Sequence, residues 1–261
     1  MIEEPYRWVE AIANRREYIE TQLASGSPIA AVGFRDGILF LTVGRARQKV
    51  FEIYDRIAMG AIGHPGDIER LRMAAIELAS TEGFTRSAAD VSLRRLAYYS
   101  LSPLMKTAFE QIFGAPYLAR MIFAELGAKP ADDLFLRLEY DGAIATNGGT
   151  SAQARQDFGV LTGTKNSTDL MESFLKDAYS ASATLDRAFR TALDAWSVGR
   201  MALGDDGAKE MPSREQIAAH RKNELALSSI EAAVLERNTT AAIRYRSLSD
   251  EEIKSALSNS E

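Results

Sequence analysis

Polar and apolar positions along this chain follow two rhythms, one of helical period and one much shorter. From Pro5 to Ala24, Trp8, Val9, Ile12, Ile19 and Leu23 recur at spacings of three, four and seven residues, which predicts an amphipathic helix. Arg15, Arg16, Glu17 and Glu20 give it a charged face. Pro5 suits the first turn, where a missing N–H costs nothing, and Gly26 suits the end. The rhythm then shortens. Four strands are predicted in quick succession, at Ile29–Phe34 with an alternating pattern, Ile38–Val43, Lys49–Ile53 and Ile57–Ile62. Asp36-Gly37 is a hairpin turn between the first two. Gly44–Gln48 forms a second, basic turn, and Gly63-His64-Pro65-Gly66 ends the run.

Helical spacing returns over about Asp67–Glu82, with Ile68, Leu71, Ala75 and Leu78 on one face. A second helix is expected over about Ala89–Phe113, where Leu93, Leu96, Leu104, Ala108 and Ile112 keep the period on both sides of Pro103. A proline inside a helix costs roughly 3 kcal/mol or more, so a kink or two abutting helices is expected there. Strands follow at about Tyr117–Glu125 and Leu134–Tyr140, closed by Asp141-Gly142. After a Gly/Thr/Ser loop at Thr146–Ser151 and a short strand around Val160–Gly163, helices are predicted at about Thr168–Ser180 and Thr184–Val198. Gly204–Pro212 is a charged loop, and Ser213 and Gln216 have capping-box spacing at the head of a polar helix ending at Leu225. Ser229–Leu235 and Ala241–Tyr245 are the last strands, and Ser249 with Glu252 caps a final helix to about Leu257.

Helices therefore come in pairs rather than one after each strand. That argues against a doubly wound parallel sheet and for an α+β fold of two stacked antiparallel sheets with helix pairs outside. The chain is long enough, at 261 residues, for one large domain or two small ones, and 46% hydrophobic content supplies a core. A net charge of −5 gives no electrostatic basis for a nucleic-acid partner. With no cysteine there are no disulfides or thiolate ligands, which fits a reducing cytoplasm. No signal peptide precedes Tyr6 and no run approaches the ~20 apolar residues of a membrane span. His64 and His220 lack metal-site spacing and are expected to be surface histidines; neither a metal nor a cofactor is expected. Gly148-Gly149-Thr150 and Gly163-Thr164-Lys165 complete no phosphate loop and read as turns.

Several motifs, taken in order, carry a resemblance. They are Glu17-Tyr18, Gly26-Ser27 leading into a strand, Asp36-Gly37-Ile38-Leu39-Phe40, Gln48-Lys49-Val50-Phe51-Glu52-Ile53-Tyr54-Asp55, Tyr140-Asp141-Gly142, and Ser229–Leu235. To about Ser247 the chain resembles the α-type subunit of the 20S proteasome, in its bacterial, actinobacterial-like form. The resemblance implies a four-layer αββα sandwich of the N-terminal-nucleophile-hydrolase type. It divides the chain into an N-terminal gate segment and ring-face helix (1–26), the sandwich (27–247) and a C-terminal helix and tail (248–261). It also implies a homo-heptameric ring stacked on a catalytic β-type subunit, with protein degradation driven by a ring-shaped ATPase activator.

The site residues follow from the same resemblance. Catalytic relatives use a free N-terminal threonine, an aspartate at the end of the second strand and a lysine opening the third. Here those places hold Ser27, Val43 and Lys49, so only the lysine is kept. Pro28 further restricts the backbone at Ser27. A non-catalytic subunit is therefore expected, the alternative being a self-processed peptidase with Ser27 as nucleophile. In α-type subunits the lysine matching Lys49 receives the C-terminal carboxylate of the activator, and Gly63 and His64 match positions lining that pocket, where helix N-terminal amides add to the attraction. Glu17 and Tyr18 match the base of the gating segment, and Pro5 and Tyr6 fall within the gate, Met1–Tyr6.

Overall fold

The computed structural model describes residues 5–45, 47–111, 113–146, 156–204, 207–241 and 243–258. The chain opens with helix α1 (Pro5–Leu23) and then lays down β1 (Ile29–Phe34), β2 (Gly37–Gly44), β3 (Val50–Tyr54) and β4 (Ile57–Gly63). Helix α2 (Pro65–Thr85) leads to a short α3 (Leu93–Leu96), a π-helical turn (Ala97–Leu101) and α4 (Ser102–Glu110). Strands β5 (Ala119–Glu125), β6 (Leu134–Leu138), β7 (Ile144–Thr146) and β8 (Phe158–Leu161) come next, then helices α5 (Lys165–Ala178), α6 (Leu185–Met201) and α7 (Arg214–Leu225). Strands β9 (Ser229–Glu236) and β10 (Tyr245–Ser247) and helix α8 (Asp250–Ser258) finish the described chain.

Two five-stranded sheets result, ordered β10-β9-β2-β1-β8 and β3-β4-β5-β6-β7, and their ladders are antiparallel. Their facing surfaces enclose Ile29, Ile38, Phe40, Val50, Ile122 and Phe135. The outer face of the first sheet packs on α5 and α6 through Leu39, Leu41, Phe189 and Trp196. The outer face of the second packs on α2, α3 and α4, joined by Ile19 and Leu23 of α1. This is the expected αββα order of layers. Burying each such aliphatic or aromatic side chain contributes about 1.5–3 kcal/mol, against about 0–1 for an exposed ion pair, so packing rather than surface charge holds the layers.

Several boundaries differ from expectation. β1 is buried at every position, because Ala30, Val32 and Phe34 face the helices while Ile29 and Ala31 face the other sheet. A strand covered on both faces has no reason to alternate. Of the two outcomes expected at Pro103, abutting helices are found: α3 runs into the π turn, which runs directly into α4, and Pro103 falls in the first turn of α4. β7 was not anticipated, and the final strand is Tyr245–Ser247 rather than Ala241–Tyr245. The capping box at Ser213 and Gln216 forms as expected. The Gly148-Gly149-Thr150 turn, Asp205 and Asp206 lie outside the described residues.

Candidate functional site

Ser27 joins α1 to β1, and its hydroxyl is committed. It donates to the Val43 carbonyl (2.7 Å) and accepts from the Trp196 indole N–H (3.0 Å). Its backbone nitrogen lies in the peptide bond to Gly26, downstream of a helix that buries Ile19 and Leu23 in its last turns. Val43, at the acid position, is an apolar side chain buried against the outer helices and has no proton to exchange. The arrangement offers no free amine, no acid and no unengaged hydroxyl at the place where catalytic relatives need all three.

Lys49 lies one residue before β3, not within it as expected, and its main chain is fixed on both sides. The Glu231 carboxylate accepts its N–H through both oxygens (3.0 Å each), and its carbonyl accepts from Ala61 N–H (3.0 Å). The side chain is half-buried. Burial pushes the ammonium below the ordinary lysine range; the Glu231 charge raises it again, and Arg200 lowers it. Burial likewise pushes Glu231 up, opposed by the N–H groups of Val50 and Lys49 and by the Lys49 charge. Beside them opens a polar cavity of about 360 Å³ lined by Arg47, Gln48 and Glu231.

Gly63 ends β4, two residues beyond the strand's bond to Lys49, so both lie at one end of the second sheet. Its φ of 135° is open to glycine, and a Cβ there would fall onto the Leu118 carbonyl. His64 is exposed and caps α2, its Nδ1 accepting the Gly66 N–H (3.2 Å). The His64 carbonyl takes the N–H groups of Asp67 (3.1 Å) and Ile68 (3.0 Å), and Pro65 has none. The first amides of α2 are therefore already paired, contrary to the expectation that they await a ligand. His64 lines a separate cavity of about 470 Å³ with Asp67, Arg70 and Tyr117. The geometry thus brings Lys49 and Gly63 to one sheet end, while His64 lines a different cavity from the one beside Glu231.

Of the expected gate residues, Glu17 and Tyr18 are exposed on α1, Tyr18 at 55%. Pro5 and Tyr6 contribute backbone to the first turn; their side chains, and Met1–Glu4, lie outside the described residues. The helix itself is bolted down. Arg15 donates to the carbonyls of Phe109 and Gln111, Arg16 pairs with Asp141 (3.2 Å), and Glu20 accepts the Tyr140 hydroxyl proton (2.8 Å). Gly142, at φ 82°, lets the same turn close over Ser102, whose hydroxyl donates to its carbonyl (2.6 Å). The Tyr140-Asp141-Gly142 motif is thus the anchor of α1.

Sequence reasoning missed Glu231, Arg200 and the bond from Trp196 to Ser27. Glu231 left a usable signal, a single acid inside the apolar run Ser229–Leu235. His220 is not the surface histidine expected: it is half-buried against Trp196, ring centroids 5.9 Å apart, and burial lowers its pKa. Gly163-Thr164-Lys165 is a helix start, with Thr164 capping α5. Among the described residues no group of three or more His, Asp or Glu side chains stands ready to hold a metal, and no helix is long and apolar enough to cross a membrane.

No protein-family model matches the chain. Curated relatives do. The chain is 30% identical to the proteasome subunit alpha of Kineococcus radiotolerans over 87% of its own length and 86% of that protein's. It is 34% identical to that of a Nocardioides species over 70% and 68%, and 30% identical to that of Acidothermus cellulolyticus over 80% and 85%. With its two antiparallel sheets between helical layers and these relatives along most of its length, the chain belongs to the proteasome α-subunit family.

Proposed function

We propose that this chain is a non-catalytic wall subunit of a cytoplasmic 20S-type particle. Seven copies form a ring on a ring of catalytic β-type subunits, the N-terminal segment gates the axial opening, and Lys49 docks the C-terminal carboxylate of a ring-shaped ATPase. The observation that carries the non-catalytic reading is the engaged state of Ser27, with both hydroxyl functions held by Val43 and Trp196 behind an attached, anchored helix. It disfavours the self-processed peptidase. Docking at Lys49 is supported by a half-buried lysine on a backbone fixed by Glu231, a residue that itself lines a polar cavity. Gly63 and His64 are proposed as the rim at the same sheet end. Glu17 and Tyr18, exposed on α1, are proposed as the base of the gate, with Pro5 and Tyr6 in the gate itself.

The test is co-expression with a β-type subunit, imaging of the particle, and peptidase assays with an activator tail peptide. A four-ring, peptidase-active particle is expected. Lys49→Ala should abolish stimulation by the tail and leave assembly unchanged; undiminished stimulation would refute the docking assignment. Isolation of a mature chain beginning at Ser27 would refute the non-catalytic reading.

A further inference from the structure

The first strand of the second sheet is an edge strand, and the groups that hold its beginning come largely from the other sheet. Glu231, on β9, accepts the N–H of Lys49 through both oxygens and the N–H of Val50 at 2.8 Å. The Val50 carbonyl accepts from Gln48 Nε2 (2.8 Å) and from the Tyr245 hydroxyl on β10 (3.2 Å). The Lys49 carbonyl is taken by Ala61. All four main-chain polar groups of Lys49 and Val50 are therefore paired, and one carboxylate supplies both N–H partners. Among the described residues the hydrogen bonds to that carboxylate come from main-chain N–H donors, which suits its ionised, acceptor-only form.

We propose that Glu231 is the positioning residue of the Lys49 site: from the opposite sheet it fixes the root of the lysine side chain and supplies the counter-charge that keeps its ammonium protonated. The role of the site rests on the docking reading above; the coupling of the two residues does not. The charged groups that act on Lys49 are Glu231 on β9 and Arg200 at the end of α6; Tyr245 on β10 bonds the adjoining Val50 carbonyl and is itself faced by Glu52 on β3, and Arg47 precedes Lys49 by two residues. Arg200 and burial both favour the neutral amine, and Glu231 opposes them. A neutral amine cannot pair with a carboxylate, so a docking lysine in this setting needs such a partner.

Glu231→Gln separates the charge from the shape. A glutamine Oε1 can still accept from both Lys49 and Val50, so the strand start survives while the charge is lost. The direct readout is the rate of acylation at Lys49, followed by mass spectrometry against pH on the assembled protein, since the reagent attacks the neutral amine. Glu231→Gln should move the titration midpoint of Lys49 to lower pH and raise its labelling at pH 8.5 by roughly threefold or more. Glu231→Asp, which keeps the charge, should return the midpoint toward that of the unmodified protein. The second readout is binding of an activator tail peptide against pH. Its alkaline limb should move down together with the labelling midpoint. Affinity at neutral pH is a poor guide, because the same substitution removes a negative charge facing the incoming carboxylate. A midpoint that stays in place in Glu231→Gln overturns the proposal. A midpoint that moves, with peptide binding indifferent to Lys49→Ala, supports the coupling and refutes the docking reading instead.

Discussion

Ser27→Ala distinguishes a structural serine from a nucleophile. The substitution removes one oxygen that bonds Val43 at 2.7 Å and Trp196 at 3.0 Å. Trp196 is only 1% exposed, so its indole N–H is left without a partner in a dry interior. A lost hydrogen bond costs about 0.5–1.5 kcal/mol, and an orphaned buried donor about 1–3, so a combined loss of roughly 2 kcal/mol is expected. With a urea slope of about 3 kcal/mol/M for a chain of this size, the unfolding midpoint should fall by about 0.7 M at fixed protein concentration. Fluorescence reports it well, because the chain has two tryptophans and a Trp8→Phe background leaves Trp196 as the probe. Residues before Ser27 should remain attached in both proteins, and neither should hydrolyse peptides alone. A midpoint change below about 0.2 M would refute the reasoning about buried pairing. Peptide hydrolysis present in the parent and absent in the variant would refute the structural reading altogether.

Two further outcomes follow from local geometry. Gly63→Ala places a side chain at φ 135° and against the Leu118 carbonyl, so it should destabilise the fold by about 3 kcal/mol or more in the same urea assay; a near-neutral result would contradict the backbone geometry. His220 binds its proton less readily folded than unfolded, because burial against Trp196 lowers its pKa from 6.5. Its contribution to stability is therefore fully present above about pH 6.5 and is lost as pH falls from there through the folded value. His220→Phe should flatten that part of the stability–pH curve, and an unchanged slope would exclude His220 as its source.

Layer order was legible in the sequence because helices arrive in pairs and strands in runs, and α1 and α2 each carry a periodic apolar face. Strand β1 was placed correctly although its pattern misled: burial on two faces erases alternation, and Ile29–Phe34 is apolar for a reason that periodicity does not encode. The π turn before Pro103 escaped because proline marks a conflict without saying how the chain resolves it. At the site, Lys49 could be named from its place in a motif. Its partner Glu231 is 182 residues away, and pairing across two sheets leaves no local trace. His64 read as a pocket residue; it caps α2 and also lines a cavity, because the same turn residues serve both purposes.

The bolting of α1 also bears on how such a chain can change over evolutionary time. Ile19 and Leu23 are mortar between the outer helices and the second sheet, and Glu20, Arg16 and Arg15 tie the helix to two separate stretches of chain. Removal of the helix ahead of Ser27 would bare an apolar trench and strand a buried phenol. Any change that freed Ser27 would also have to supply new cover for that surface, so the anchoring of α1 couples the start of β1 to the packing of the second sheet.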